Sequence, residues 1–400
     1  MEHTPKYLVM VTANNNNKYY KMTPRGDHFD VEYGRVGGGK QTASYSISLW
    51  NKKYNEKIAK GYVDRTDLVK ELIVKEKPKT NDGYKEIENR AIAEIVDRLQ
   101  AMAKKAVAEN YTISSSKVTM AMVDEAQRVL ASLLNCSEVN DFNKTLLELY
   151  GVIPRKMSNV ASYMAGKKEE FGKIIEREQD LLDVMKGQVY IPPKVEATEA
   201  EDSGEETILE AKGLVFEEAT AEDVIKIKSC LGGCADKFYR AWRVTNLATQ
   251  KKFDEYVNDG NVATKLLWHG SRNENWWSIV GTGLVLRPTN AVITGKMFGY
   301  GIYFATKARK SLGYTSLTGS YWARGSSSSA FMGLYEVAYG KPYDVHSFES
   351  RFHSFDYEAL QRACPGANCL HAHEGQMLRN DEIIVYKECQ TTIKYLVELR

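Results

Sequence analysis

From about residue 83 to 190 the pattern is helical, with apolar residues recurring every three or four positions. In IENRAIAEIVDRLQAMAKKAVAEN, Ile92, Ile95, Val96, Leu99 and Met102 fall on one face of a helix. TMAMVDEAQRVLASLL and DFNKTLLELYGVIP continue the pattern, the second stopped by Pro154, and FGKIIEREQDLLDVMKGQVY adds another amphipathic helix. An all-α bundle of this length inside a chain of 400 residues calls for separate cores on either side of it.

The flanks read as sheet. In HFDVEYGRV, Phe29, Val31 and Tyr33 alternate with Asp30, Glu32 and Gly34, the repeat of a half-buried strand. KYLVMVTA and YYKM are short strands around the polar turn ANNNNK, and TASYSISLW is a further strand-like run. NKKYNEKIAKGYVDRTDLVK closes this part as a helix and a short strand. Beyond PPKVEATEAEDSGEE, a solvated acidic linker by composition, come TKLLW, GIYFA, MGLYEVAYG, EIIVY and IKYLVEL between loops. No βαβ periodicity runs through them, which argues against a doubly wound sheet. The expected fold class is multidomain α+β. Its parts are a small β-rich domain over 1–80, a helical bundle over 83–190, a linker over 191–206 and a mixed, mainly antiparallel β domain over 207–400.

Charge separates the first part from the rest. The net charge is +2, yet residues 1–80 carry 15 Lys/Arg against 9 Asp/Glu, which fits a polyanionic partner. No run reaches the roughly 18 apolar residues of a membrane span. MEHTPKYLVMVTANNNN has neither the basic start nor the long apolar core of a signal peptide. Six cysteines without a dense framework suit a reducing compartment, so an intracellular, soluble protein is expected.

Two stretches imitate other chemistries. GRVGGGKQ nearly spells a phosphate-binding loop, but Gln41 stands where a Ser or Thr would hold magnesium, and the adjoining TASYSISLW is strand-like rather than helical. A glycine-rich hairpin turn is the better account. CPGANCLHAHEG places Cys364, Cys369, His371 and His373 within ten positions, but C-x4-C-x-H-x-H matches none of the paired zinc spacings. A loop with incidental thiols is the reading, and no metal is expected.

A third set converges. LLWHGS carries His269; GLVLRPTNAVITGKMFGYGIYFATKARKSLGYTS carries Tyr303, Lys310, Ser311 and Tyr314; NDEIIVY brings Glu382 into a strand. Together these side chains can build a pocket for a flat cationic ring. Aromatic faces sandwich it, backbone groups and a hydroxyl satisfy a carboxamide, and a carboxylate stabilises positive charge developing beside it.

LLWHGSR, TGKMFGYGIYFA with KSLGYTS, and DEIIVY, in that order, resemble the catalytic domain of the poly(ADP-ribose) polymerases, the diphtheria-toxin-like branch of the ADP-ribosyltransferases. LLELYGVIP and REQDLLDVMKG are similar to that family's regulatory helical domain. The first 80 residues resemble the WGR domain of its DNA-dependent members, written here Tyr33-Gly34-Arg35. The resemblance implies that NAD⁺ is a consumed substrate and that no cofactor is needed. His269 would hydrogen-bond a ribose hydroxyl and Gly270 would grip the nicotinamide carboxamide through its backbone. Ser311 would donate to the same amide, and Tyr303 and Tyr314 would bracket the ring. Lys310 would line the same site. Glu382 would bind the ribose, steady the oxocarbenium-like transition state and position the acceptor hydroxyl. Ser271 and Asn275 are further contacts, and Trp268 packs behind. His269, Tyr303 and Glu382 form the triad of chain-elongating members. The helical domain would act as a brake, and Arg35 would relay contact with a DNA end to it.

The implied partners are DNA with strand breaks and acceptor proteins including the enzyme itself, with no membrane, for a monomer. The implied location is the nucleus in a eukaryote and the cytoplasm otherwise; VKEKPK, residues 74–79, is a thin import signal. A mono-ADP-ribosyltransferase with the same pocket, or an inactive DNA-binding scaffold, is the alternative. Several positions depart from the family pattern: Tyr33 replaces a tryptophan, Lys296 an aromatic, Arg287 is displaced on the adenine side, and the stretch 364–375 has its own character.

Overall fold

The computed structural model describes residues 3–36, 38–68, 84–112, 115, 118–192, 206–286 and 297–400. VKEKPK, most of the acidic segment, Arg287 and Lys296 lie outside the described residues. The chain divides into two compact units, Met1–Thr80 with Lys104–Val189 and Asn81–Ala103 with Tyr190–Arg400.

In the first unit five strands, β1 (Lys6–Thr12), β2 (Asn16–Arg25), β3 (His28–Arg35), β4 (Lys40–Ser46) and β5 (Val63–Asp64), form a sheet of order β4-β3-β2-β1-β5. All its pairs are antiparallel. β3 and β4 pair next to each other in the sheet, with Gly34 opposite Lys40. The alternation in β3 turns Phe29 and Val31 into a core with Leu8, Tyr20, Met22 and Trp50. The expected strand TASYSISLW is only half strand. β4 ends at Ser46, and Trp50 opens helix α1 (Trp50–Ala59). The helix places the indole edge-on to Phe29, with ring centroids 5.1 Å apart, so burial of an aromatic overrides local β propensity.

Helix α2 (Arg90–Asn110) gives its first part to the second unit and its last part to the first. Helices α3 (Met120–Ser132), α4 (Val139–Val152) and α5 (Phe171–Val189) follow the predicted spacing. Thr119 caps α3 by accepting from the Met122 amide, and Phe142 of α4 stacks on Phe171 of α5 at 3.8 Å between ring centroids. One charged pair is sealed inside this unit: Arg155 Nε stands 3.2 Å from Glu178 Oε2, with side chains 3% and 2% exposed. Arg177 and the Tyr150 hydroxyl also reach Glu178. Glu178→Ala leaves Arg155 charged, buried and without its carboxylate. The expected cost is about 3–5 kcal/mol, read as a fall in unfolding free energy in denaturant; a loss under about 1 kcal/mol would show that solvent reaches the pair.

The second unit is built on a nine-stranded sheet of order β11-β12-β13-β9-β8-β10-β14-β7-β6. Its strands are β6 (Leu214–Glu218), β7 (Phe238–Asn246), β8 (Thr264–Gly270), β9 (Ile302–Ala305), β10 (Ala330–Ala338), β11 (Pro342–Val345), β12 (Cys369–Ala372), β13 (Glu382–Val385) and β14 (Thr391–Leu399). Only β11 and β12 pair in parallel, so the sheet is mixed and mainly antiparallel, as expected. Short helices flank it: α6 (Ile208–Ala211), α7 (Ala221–Leu231), α8 (Leu247–Gly260), α9 (Trp276–Thr282), α10 (Ala308–Leu312) and α11 (Tyr357–Ala363). Trp242, Trp268, Trp276 and Trp277 are fully buried against it. Arg98 of α2 forks onto Glu398 of β14, at 3.0 and 2.8 Å, which satisfies a carboxylate with no exposure at all. Among the described residues no helix is long and apolar enough to cross a membrane.

Candidate active site

Three neighbouring strands bring the converging side chains together. Glu382, first residue of β13, pairs with Ala305 of β9, and Trp268 of β8 pairs with the same Ala305. Tyr303 lies two residues earlier on β9, and His269 and Gly270 end β8. Trp268 is core, as the sequence suggested: it is fully buried and its Nε1 donates to the Cys230 carbonyl at 3.0 Å.

His269 is oriented by the backbone. Its Nδ1 lies 3.0 Å from the Tyr303 carbonyl. A carbonyl only accepts, so Nδ1 carries a proton and the bond fixes the orientation of the ring. The Tyr303 phenol is fixed in turn: its oxygen accepts from the Phe298 amide at 2.9 Å and its hydroxyl donates to the Gly299 carbonyl at 3.1 Å. Gly299 can sit there only as glycine, with φ at +73° and a Cβ position 2.1 Å from the Phe355 carbonyl oxygen. Burial, above all, drives the Tyr303 pKa well above the usual tyrosine value, with the charge of Glu382 adding to it.

Gly270 presses its backbone against α10. A Cβ there would stand 2.0 Å from the Ser311 carbonyl oxygen. Ser311 is buried, and its hydroxyl donates to the Trp268 carbonyl at 3.0 Å. A donor role toward a substrate therefore requires this bond to be exchanged. Asn275 donates to the Ser271 hydroxyl at 2.9 Å, forming a polar pair just past β8. Lys310 and Glu382, 72 residues apart, form a close ion pair with side chains only 14% and 11% exposed.

Tyr314, three residues after Ser311, is 40% exposed. Burial of part of its ring, and then Glu382, push its pKa up to about 12. Trp322 stacks beside it, centroids 6.1 Å apart and 18° from parallel, and Tyr321 packs edge-on to Trp322. The two are the most exposed large aromatics among the described residues. Sequence reading passed over them, although an aromatic pair inside GSYWARGSSSS was a visible signal. Tyr33 and Arg35 belong to the other unit.

The thiols of CPGANCLHAHEG do not join its histidines. Contrary to the expected loop, Cys369–Ala372 is strand β12. Cys369 Sγ is buried and turned to the Tyr339 carbonyl at 3.3 Å.

Comparison with known proteins agrees with this arrangement. Residues 228–400 match the poly(ADP-ribose) polymerase catalytic domain. The chain is 34% identical over 186 residues to uncharacterized protein 101L of Invertebrate iridescent virus 6, covering 46% of this chain and 76% of the viral one. It is 27% identical over 361 residues to poly [ADP-ribose] polymerase 2-B of Oryza sativa subsp. japonica, covering 82% of this chain and 57% of the rice protein. A stretch of 49 residues, 12% of this chain and 8% of the other, is 57% identical to poly [ADP-ribose] polymerase 2 of Homo sapiens. The fold, the ordered motifs and these matches agree: the chain belongs to the poly(ADP-ribose) polymerase family.

Proposed function

We propose that this protein transfers ADP-ribose from NAD⁺ to protein acceptors, itself included, extends it into chains, and does so faster when residues 1–80 hold a DNA strand break. The observation that carries the reading is the gathering of His269, Gly270, Tyr303 and Glu382 on the neighbouring strands β8, β9 and β13, with Ser311 of α10 bonded to β8. NAD⁺ is substrate, and no bound cofactor is required. His269 Nε2 accepts from a ribose hydroxyl. Gly270 binds the carboxamide through its amide and carbonyl, and its bare Cα lets the Ser311 backbone pack close beside it. Tyr303 and Tyr314 hold the nicotinamide ring between them, and Ser271 and Asn275 support the neighbouring rim.

The bond between ribose C1′ and the pyridinium nitrogen breaks, and nicotinamide leaves neutral because it began cationic. An acceptor hydroxyl or carboxylate bonds to C1′ from the opposite face, and Glu382 stabilises the positive charge, orients that nucleophile and, for a hydroxyl, takes up the proton it releases. Lys310 holds the carboxylate until substrate arrives.

The test is NAD⁺ consumption and product length with purified protein, with and without short duplex DNA carrying a 5′-phosphorylated break. Stimulation with a ladder of long products supports the whole reading. Activity indifferent to DNA removes the sensor and keeps the transferase, single units only make it a mono-ADP-ribosyltransferase, and no turnover in either arm leaves a scaffold.

Arg35 supports the sensor role by its contacts. Its guanidinium donates to the Asn15 carbonyl and side chain, at 2.8 and 3.0 Å, and to the Met157 carbonyl at 3.3 Å. Asn15 also accepts from the Val160 amide. One side chain thus ties the β1–β2 turn to the segment after α4. Arg35→Ala is expected to lower DNA-stimulated turnover at least about tenfold, the worth of one or two charge-assisted hydrogen bonds, with basal turnover little changed. Equal falls in both would reject the relay. Phosphate contacts on the same domain should make the stimulation weaken steeply with salt.

A further inference from the structure

The geometry points to a divalent-cation site of the zinc class formed by Asp344, His371 and His373, on the edge strands of the catalytic sheet and apart from the NAD⁺ pocket. Among the described residues, this is the group of three ligand-bearing side chains whose donor atoms all fall within 4.8 Å of one another. Two histidines and one carboxylate are a ligand set that holds zinc with a position left for water.

The fold brings them together for reasons separate from any metal. His371 and His373 are two residues apart at the end of β12, so they project from one face. The parallel pairing of β11 with β12 sets Asp344 directly opposite His371. Pairing continues one step further, where the His373 amide donates to the Val345 carbonyl at 2.9 Å. Asp344 Oδ1 lies 2.7 Å from His373 Nε2 and 3.8 Å from His371 Nδ1. The two rings stack at 3.9 Å between centroids. A tetrahedral ion with bonds of about 2.0–2.1 Å needs donors roughly 3.3 Å apart, so His373, 28% exposed and stacked against both His371 and His346, must shift within that stack.

A second observation concerns the other nitrogen of His371. The residue is nine-tenths buried, and its Nε2 makes no well-aligned hydrogen bond while standing 3.3 Å from Asp381 Oδ2. With Nδ1 on a cation, Nε2 carries the proton and donates to Asp381. That is the carboxylate–histidine–metal arrangement by which outer residues orient a ligand. The Tyr339 hydroxyl, now 2.9 Å from Nδ1, then turns to the cation's water or to Asp344. Asp381, the outer partner of His371, immediately precedes Glu382 in the sequence. The sequence misdirected attention to the thiols; the third ligand comes from Asp344, 27 residues before His371, and only the strand register reveals it.

The test uses the full chain stripped with chelator and titrated with ZnCl2 alone against a competing indicator. One saturable equivalent at micromolar affinity or tighter, with a raised unfolding temperature, is expected. His373→Ala and Asp344→Asn remove exposed or half-exposed side chains, so the metal-free variants should unfold at the wild-type temperature. Each should lose more than the about 10–100-fold in affinity that an outer partner alone is worth. Cys364→Ser should bind as wild type. Cobalt in place of zinc should give visible ligand-field bands without a thiolate charge-transfer band. No saturable equivalent, affinity unchanged in both ligand variants, or a thiolate band would each overturn the assignment and leave a stacked imidazole–carboxylate network.

Discussion

Glu382→Gln is expected to cut ADP-ribose chain growth by about 10²–10³-fold, the range lost when one aimed electrostatic group is removed from a transition state, while NAD⁺ binding weakens far less. Glutamine keeps the shape of glutamate and one acceptor oxygen, so the steric fit at the start of β13 survives. The negative charge is lost. The oxocarbenium-like sugar then has no counter-charge, and the acceptor has no group to orient its nucleophile. Lys310, only 14% exposed and paired with Glu382, keeps a charge with no opposite beside it. That uncompensated ammonium also repels the cationic nicotinamide ring, which adds a smaller loss of affinity. Calorimetric titration with NAD⁺ together with a gel of labelled product separates the two effects. Wild-type-length polymer from the variant would falsify the role given to Glu382, and loss of NAD⁺ binding in proportion to activity would make it a binding group instead.

The tyrosine acidities belong to the same electrostatics. Burial raises both Tyr303 and Tyr314, and Glu382 raises both further. With Tyr314 at about 12 and Tyr303 well above the usual value, both phenols stay protonated through the physiological range. In the proposed reaction they serve as neutral aromatic walls, not as bases. An alkaline limb in the pH–rate profile near neutrality that disappears in Tyr303→Phe or Tyr314→Phe would overturn that.

Much of the site was legible because its residues travel in short blocks. His269 with Gly270, Tyr303, Lys310 with Ser311, and Glu382 each sit in a run whose apolar neighbours announce a strand or a helix. The helices of the bundle were legible for the same reason, since an apolar face of period 3.6 is a local property. The hidden features depend on register across long separations. The Lys310–Glu382 pair spans 72 positions and exists because β13 lies beside β9. Asp344 joins two histidines through a parallel pairing that no local pattern encodes. Trp50 looked like the end of a strand, and tertiary packing on Phe29 made it the start of a helix. The spacing over 90–110 marks a helix, but which compact unit each of its ends packs in depends on contacts that the spacing does not carry.

Gly270→Ala should be as damaging as loss of a charged group, though it adds only a methyl. The added carbon would sit 2.0 Å from the Ser311 carbonyl oxygen and 2.8 Å from its carbonyl carbon. Those are backbone atoms of α10, so no side chain can rotate away, and β8 and α10 must part by more than an ångström. Overpacking of this kind costs about 1–3 kcal/mol of stability. The catalytic penalty is larger, because both sides of the proposed carboxamide cradle move at once: Gly270 supplies the backbone groups, and Ser311 is anchored through Trp268. A displacement of about 1 Å in a positioning group is worth about 10²-fold in rate, so kcat/KM for NAD⁺ should fall by about that much. Gly233→Ala is the matched control, since a Cβ there meets nothing within 4 Å, and it should change neither stability nor turnover. If Gly270→Ala turned over NAD⁺ at the control's rate, the contact between β8 and α10 would be slack, and the nicotinamide could not be held by it.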